Sequence, residues 1–558
     1  MRKVVLLLSF FLLGITTYAQ SIFNHSDSLR GSLNENRDWF DIQHYLLFVD
    51  PTFETKSIKG SVNWIAKVIK PSKKIQIDLQ SPLIIDSILF SSSSNGQINA
   101  KNEKLSFNRI NNVAIADLNK ALSLNTEFVL EIYYHGIPRE AVNPPWEGGW
   151  IWKKDANGKP WISVACQGLG ASVWYPCKDH QSDEPENGMD IYIKKMDGLQ
   201  SVSNGKSWNL EGKHNTYVHW QVRNPINNYN IIPYIGDYVN WNETYKGLKG
   251  DLPISYYVLR EDSAKAVEQF KQVPIMLKAF EYWFGPYPFY EDGFKMVQSP
   301  HLGMEHQSAI AYGNKFKNGY LGTDLSRTGW GLKWDYIIVH ESGHEWFANN
   351  VTTKDIADMW VHEGFTNYAE ALFTEYYYGM EAANEYMYGI RRNISNDRKI
   401  IGNYGVNEEG GGDMYAKGAA LIHTIRKAIN NDSVFKSILM GINGDFYHQT
   451  VTSNQIEQYI SSKSKINFDK VFDQYLRTTQ VPNFVYHYDS KEHLLTYQWK
   501  NCIPGFDLPL HFNVNNIQYD FMPMDYQAQT RWIKDPAFDL KAFVKRIQQI
   551  YYINTIEE

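Results

Sequence analysis

Two histidines with a glutamate between them are the residues best suited to chemistry. In the segment VHESGHEWFANN, His340 and His344 stand four apart and Glu341 follows the first. On a helix, residues four apart lie on one face, so both imidazoles point the same way. Neutral imidazoles at that spacing can share one Zn²⁺ while the Glu reaches a bound water. A catalytic zinc centre takes three protein ligands and keeps its fourth position open. Glu363, 19 positions after His344 in WVHEGFTNYAEALF, is the expected third ligand. Glu370 lies two helical turns further along the same face, where it could accept a hydrogen bond from the far nitrogen of a liganding His. The alternative is that these two carboxylates face solvent. His362 points about 100° away from Glu363 around a helix and reads as a packing or pocket residue. The implied chemistry is hydrolysis by a metal-activated water, with one zinc per chain and Glu341 as the base.

These residues need helices to hold them, and the pattern provides them. From about residue 260 to 478 the spacing is helical. DSAKAVEQFKQVPIMLKAFEYWFG has Asp262 as an expected N-cap and Gly285 as a stop. LKWDYIIVHESGHEWFANN, VHEGFTNYAEALFTEYYYG, YAKGAALIHTIRKAI and SNQIEQYISSKS follow. Before this region, FDIQHYLLFV, GSVNWIAKVI, KIQIDL, NNVAIADL and EFVLEIYYH read as strands separated by turn-rich segments. After it, NFVYHYD, LLTYQWK, LHFNV and TRWIKD read as strands of a small β-sandwich. The expected organisation is multidomain α+β: a leader at 1–19, a β domain at 20–245, a mostly helical catalytic domain at 246–482 and a C-terminal sandwich at 483–558. The run NEEGGG at 407–412 lacks the G-K-[ST] of a phosphate loop and reads as a mobile loop beside the cleft.

With 558 residues, 43% hydrophobic and 21% charged, the chain has the composition of a soluble globular protein of several domains. The net charge is −6 and no Lys/Arg-rich block occurs, which argues against a nucleic-acid partner. Arg2 and Lys3, the apolar run Val4 to Leu13, and the small residues Thr17 and Ala19 form a secretory leader with cleavage expected before Gln20. The run is too short to span a membrane, and no later stretch is long enough. A periplasmic or secreted protein is the expectation. In that setting Cys166 and Cys177 could pair, the alternative being three free buried thiols with Cys502.

The metal segment resembles the aminopeptidase N family of zinc metallopeptidases, which includes leukotriene hydrolase. His340, Glu341 and His344, then Trp360, Glu363, Gly364 and Phe365, follow its pattern. WFGPYPF at 283–289, CQGLGASVWYPCKD at 166–179, FDIQHYLLFVD near the start and WIKDP near the end look similar to other parts of it. The resemblance implies a saddle-like N-terminal sheet domain and a thermolysin-like catalytic domain. Relatives that carry a long helical C-terminal domain differ here, so no such domain and a more open cleft are expected. In LGMEHQS, Met304 and Glu305 match the family's G-x-M-E-N, with Leu302 and His306 as departures. The resemblance implies that Glu305 binds the substrate's α-ammonium with Gln167 beside it, and that Met304 borders the substrate. Tyr415, before Lys417 and Gly418, matches the family's tyrosine that stabilises the oxyanion. The implied activity is removal of N-terminal residues from peptides with a free amine. A zinc endopeptidase with the same metal site, or an inactive binding protein on the same scaffold, are the alternatives.

Overall fold

A computed structural model describes residues 23–94, 97–98, 103–208, 210, 215–535 and 538–558. The leader at 1–19 and Pro536 of WIKDP lie outside the described residues.

The N-terminal part is built on a nine-stranded sheet. Its longest strand, Phe40–Thr52, pairs antiparallel with Ser57–Val68 and parallel with Met189–Lys194. Alternation buries Phe40, Ile42, Tyr45, Leu47 and Val49 on one face. The parity changes between Ile42 and Tyr45 because the register shifts between Ile42 and His44, a bulge that keeps the apolar side chains inward. A four-stranded sheet contains Pro160–Ala165, which leads straight into Gln167.

The chain leaves these sheets at Asp237. Strand Tyr234–Gly236 belongs to the four-stranded sheet, whereas Tyr238–Gly247 pairs with Gly250–Leu259 in a five-stranded sheet. The boundary expected at residue 245 therefore falls inside a strand. The segment was expected only as the end of the β domain at 20–245, and periodicity does not say which sheet a strand joins. Asp237 is buried at the crossing and accepts from Lys159 at 2.7 Å and Arg260 at 3.3 Å. The five-stranded sheet ends in the short edge strand Gly303–Met304, immediately before Glu305.

The helices pack against this sheet. The stretch expected as one helix from Asp262 is two, Ser263–Gln269 and Gln272–Phe284. The Asp262 carboxylate does not cap; it accepts from Gln298 at 2.8 Å. Gly285 does end the second helix, in the positive-φ conformation glycine favours. The helix bearing His340 is shorter than its pattern suggests, Tyr336–Gly343, with Asp335 capping Ile337 and Ile338. Helices Trp360–Tyr378, Ala416–Ile429 and Ser453–Ser464 follow, the last opened by a Thr452/Gln455 capping box. Among the described residues no helix is long and apolar enough to cross a membrane.

The C-terminal part holds a four-stranded sheet and the hairpin Leu510–Val514/Ile517–Phe521. A helix the strand pattern did not anticipate, Leu540–Ile550, lays Phe543 against Phe512 at 5.1 Å between ring centroids. Its apolar face is Phe543, Ile547 and Ile550, spaced by four and three. The buried apolar residues form two cores. One joins the helical and C-terminal parts; the other fills the N-terminal part and takes in Val297, Met304 and Ala311 from the five-stranded sheet and Ala309 just before its strand Ile310–Tyr312.

All three cysteines are free, so the Cys166–Cys177 pairing is not formed. Both thiols are buried, and Cys166 Sγ donates weakly to the Tyr229 carbonyl at 3.5 Å. Burial pushes the Cys177 thiol far above its ordinary range, which suppresses the thiolate that oxidation needs.

Candidate active site

His340 lies in the last turn of helix Tyr336–Gly343 and His344 is its C-cap residue, after which the chain turns toward strand Val351–Thr353. The two rings stand 5.0 Å apart and nearly perpendicular. Helix Trp360–Tyr378 crosses close to them because Gly343 has no side chain; a Cβ there would sit 3.1 Å from Thr366 Cγ2. That crossing brings Glu363 Oε2 to 3.6 Å from His340 Nε2 and 3.4 Å from His344 Nε2. One atom from each of the three residues lies within 4.8 Å of the others.

The far nitrogens are already committed. His340 Nδ1 meets Glu370 Oε1 at 2.7 Å. His344 Nδ1 lies 3.0 Å from the Phe347 carbonyl and 3.1 Å from Thr366 Oγ1. Donation from Nδ1 fixes each tautomer and leaves both Nε2 lone pairs aimed at Glu363. Glu363 Oε2 is buried and takes no hydrogen bond among the described residues. A bare carboxylate oxygen facing two imidazole lone pairs is a costly arrangement unless a cation lies among them. Two neutral imidazoles and one carboxylate are a donor set that suits zinc.

Glu370 is fully buried, and His340, Asn367 at 2.7 Å and Tyr386 all donate to it. His362 is buried outside the cluster, where its Nε2 accepts from the Thr353 amide at 2.9 Å; it is a packing residue.

Glu341 lies 8% exposed on the cavity side. Burial pushes its carboxyl up to about 7, His340 and His344 pull it down, and Glu305 and Glu363 push it further up. Gly303 makes room for it, since a Cβ there would meet Glu341 Oε1 at 2.6 Å.

The edge strand puts Glu305 beside this cluster. Atoms of Glu305, Glu341 and His344 lie within 4.8 Å of one another. Gln167 donates to Glu305 Oε1 at 2.6 Å and Tyr229 donates at 3.0 Å; Oε2 takes no side-chain donor among the described residues. Asn349 fixes the Glu305 carbonyl at 2.8 Å. His306, in place of the family's Asn, turns into the core and meets Tyr234 at 2.6 Å, so it does not crowd the Glu305 carboxylate.

Tyr415 precedes helix Ala416–Ile429 and lies in the same cavity, its ring 6.1 Å from that of His340. Gly418 explains how it gets there. A Cβ at Gly418 would meet Gly364 Cα at 2.9 Å, so the two helices touch backbone to backbone. Burial, then Glu363 and Glu305, hold the Tyr415 phenol well above its ordinary range, keeping it a donor. Lys417 points elsewhere and donates to the Thr478 carbonyl at 2.9 Å.

The cavity, about 360 Å³, also receives Trp146, Glu409 and Met414, while Met304 forms part of its floor. Sequence reasoning placed the 407–412 run that holds Glu409 beside the cleft, but it did not find Trp146, Met414, Tyr229, Asn367 or Tyr386. Tyr229 lies 76 residues before Glu305 and carries no local signal that pairs them. The i,i+3 spacing of Asn367 and Glu370 was the one available cue.

Residues 269–475 match the peptidase family M1 domain. The chain is 23% identical to mouse aminopeptidase B over 362 residues, covering 60% of this chain and 52% of that protein. It is 22% identical to Xenopus laevis leukotriene A-4 hydrolase over 363 residues, 61% of this chain and 57% of the relative. The chain thus spans about half the length of the curated relatives it matches. An M1 zinc metallopeptidase from Deinococcus radiodurans superposes with a TM-score of 0.63 at 19% identity, covering 77% of this chain and 91% of that one. A mutant of it bound to a Tyr-Ser-Ala substrate gives 0.62 at 18% identity, with coverage of 79% and 95%.

Proposed function

With residues 269–475 belonging to peptidase family M1, we propose that the protein is a zinc aminopeptidase that removes single residues from peptides with a free N-terminal amine. The observation that carries this reading is Glu305, a buried carboxylate held by Gln167 and Tyr229 within 4.8 Å of Glu341 and His344. A carboxylate so close to the metal ligands has room for an ammonium one residue away from the bond to be cut.

His340, His344 and Glu363 would hold the zinc. When bound, zinc supplies a Lewis acid that polarises a carbonyl and acidifies water. Glu341 takes the proton of the attacking water and returns it to the departing amine. The Tyr415 hydroxyl donates to the oxygen on which negative charge develops. Glu305 accepts from the α-ammonium through the oxygen that Gln167 and Tyr229 leave open. Met304 packs beneath the first side chain. Glu370 keeps His340 in its tautomer. The endopeptidase alternative drew its support from the departures around Glu305, and His306 lies turned away from that carboxylate.

The test is a panel of chromogenic amino-acid amides with free and acetylated amines, with and without chelator. Cleavage of the free-amine series alone, abolished by chelator, is expected. Equal rates on acetylated substrates would sink the reading.

We also propose that the protein is exported, with the leader removed before Gln20. The support is the basic start, the apolar run Val4 to Leu13 and the small residues before the cut. Amino-terminal sequencing of the protein from fractionated cells decides it; an intact Met1 in the cytosolic fraction would overturn it.

A further inference from the structure

One segment touches both walls of the substrate cavity without entering it. On one wall is the loop after strand Pro160–Ala165, which carries Gln167 and Gly168; on the other is the loop bearing Glu409. The N-terminal helix His25–Gly31 lies behind both.

Arg30 grips the first wall. Its guanidinium donates to the Leu169 carbonyl at 2.6 Å and the Asp179 carbonyl at 2.9 Å, and pairs with Asp179 Oδ2 at 2.6 Å. Asp179 in turn accepts from the Ser172 amide at 3.0 Å, so both ends of the loop are fixed to one charge pair. Gly31 seats on the second wall. It is buried, and a Cβ there would overlap the Asn407 nitrogen and the Val406 carbonyl carbon. Asn407 closes the ring by donating to the Gly168 carbonyl at 3.3 Å.

The segment is itself pinned by Arg37, which is fully buried. Arg37 donates to Asp78 at 2.9 Å, to the Asp179 carbonyl at 3.3 Å and back to the Arg30 carbonyl at 2.9 Å. Gln76 adds a bond to the Leu29 carbonyl at 3.0 Å. Arg30 and Arg37 thus converge on the same carbonyl, that of Asp179. A loop held by a charged fork at three acceptors loses little freedom when substrate arrives.

We infer that residues 24–37 form a strap that sets the α-amine pocket, with Arg30 as a positioning residue for Gln167 and Gly31 as the seat for the Glu409 loop. The inference rests on the reading of Glu305 and Gln167 as the amine site. Neither strap residue meets substrate or metal. Loosening the strap therefore raises KM for free-amine substrates and leaves turnover by His340, Glu341, His344 and Glu363 in place.

The experiment is steady-state kinetics of the full chain as the zinc-loaded enzyme, comparing wild type with Arg30→Ala, Arg30→Lys and Gly31→Ala. Zinc content and Tm are measured alongside. The expected result for Arg30→Ala and Gly31→Ala is a rise in KM of about tenfold with kcat within about twofold and one zinc per chain. A tenfold change is about 1.4 kcal/mol of binding. Arg30→Lys, which keeps the charge and loses the fork, falls between. KM equal to wild type in both Arg30→Ala and Gly31→Ala overturns the inference, whatever the change in Tm. So does a loss of zinc and kcat in parallel with KM, which would make the strap a general fold element. If wild type itself fails to prefer free amines, it is the aminopeptidase reading that fails.

Discussion

Glu341 and Glu305 are both buried carboxylates in one cavity, yet they answer to different partners. Among the described residues no hydrogen-bond donor is tied to Glu341, which sits where burial and two neighbouring carboxylates oppose its charge. Glu305 is fixed by Gln167 and Tyr229. On the proposed mechanism, replacing Glu341 by Gln removes the proton acceptor and leaves His340, His344 and Glu363 whole. Its kcat should fall by roughly 10²–10⁴, the usual worth of a general base, with zinc content unchanged by metal analysis. Replacing Glu305 by Gln removes a charge-assisted acceptor worth about 1.5–3 kcal/mol. The kcat/KM for free-amine substrates should then drop about tenfold to a hundredfold, and rates on acetylated substrates should not move. His340, His344 and Glu363, which the fold brings together, were legible because their spacing is local: four residues from one helix into its C-cap, then one turn into the next helix. The environment of Glu305 was legible only by likeness to a family pattern. Tyr229, which completes it, comes from a distant segment, and one tyrosine among 37 has no spacing that singles it out.

At the scale of elements, the site depends on how closely helix Trp360–Tyr378 can approach its neighbours. Gly364 and Gly418 let it touch helix Ala416–Ile429 along the backbone, and Gly343 admits it to the His340 helix. Gly418→Val should therefore part the helices, costing about 1–3 kcal/mol by overpacking. Calorimetry should show a lower Tm, and kcat should fall with it because Tyr415 is carried by the displaced helix. An unchanged Tm would mean that the contact is not tight. Most helices could be placed from their periodicity, but their ends could not. The segment around His344 keeps a helical pattern past Gly343, yet the Phe347 carbonyl draws His344 Nδ1 and the chain turns. Helix Leu540–Ile550 was missed because the strands before it set the expectation for the whole C-terminal segment. The register of Tyr238–Gly247 shows the other limit: alternation marks a strand, and long-range pairing chooses its sheet.

Across the whole molecule, the two cores meet at a seam that titrates. Glu184, from the N-terminal part, accepts from Thr352 Oγ1 at 2.7 Å on the catalytic side. Burial pushes its carboxyl up to about 8, with Thr352 and Asn227 pulling down and Asp183 and Glu186 pushing up. An acid whose pKa is raised on folding favours the folded state while protonated. Its contribution is fully present below the unfolded value near 4.3 and is lost as pH rises through about 8. Tm should fall between those limits, and Glu184→Gln should flatten the slope when Tm is followed from pH 5 to 9. A slope identical to wild type would show that Glu184 ionises freely in the fold.

The seam also divides the work of the cavity. His340 and Glu363 lie on helices of one core and His344 caps the first of them, while Gln167 and Tyr229 rise from the other core and meet Glu305 at the seam. On the proposed function, zinc would be gripped by one body, and the distance from amine to scissile bond would be a ruler whose two ends are anchored in different bodies. Partial unfolding of the N-terminal body would leave a metal-loaded protein that has lost its ruler. In mild denaturant, the preference for free over blocked amines should disappear before the zinc does.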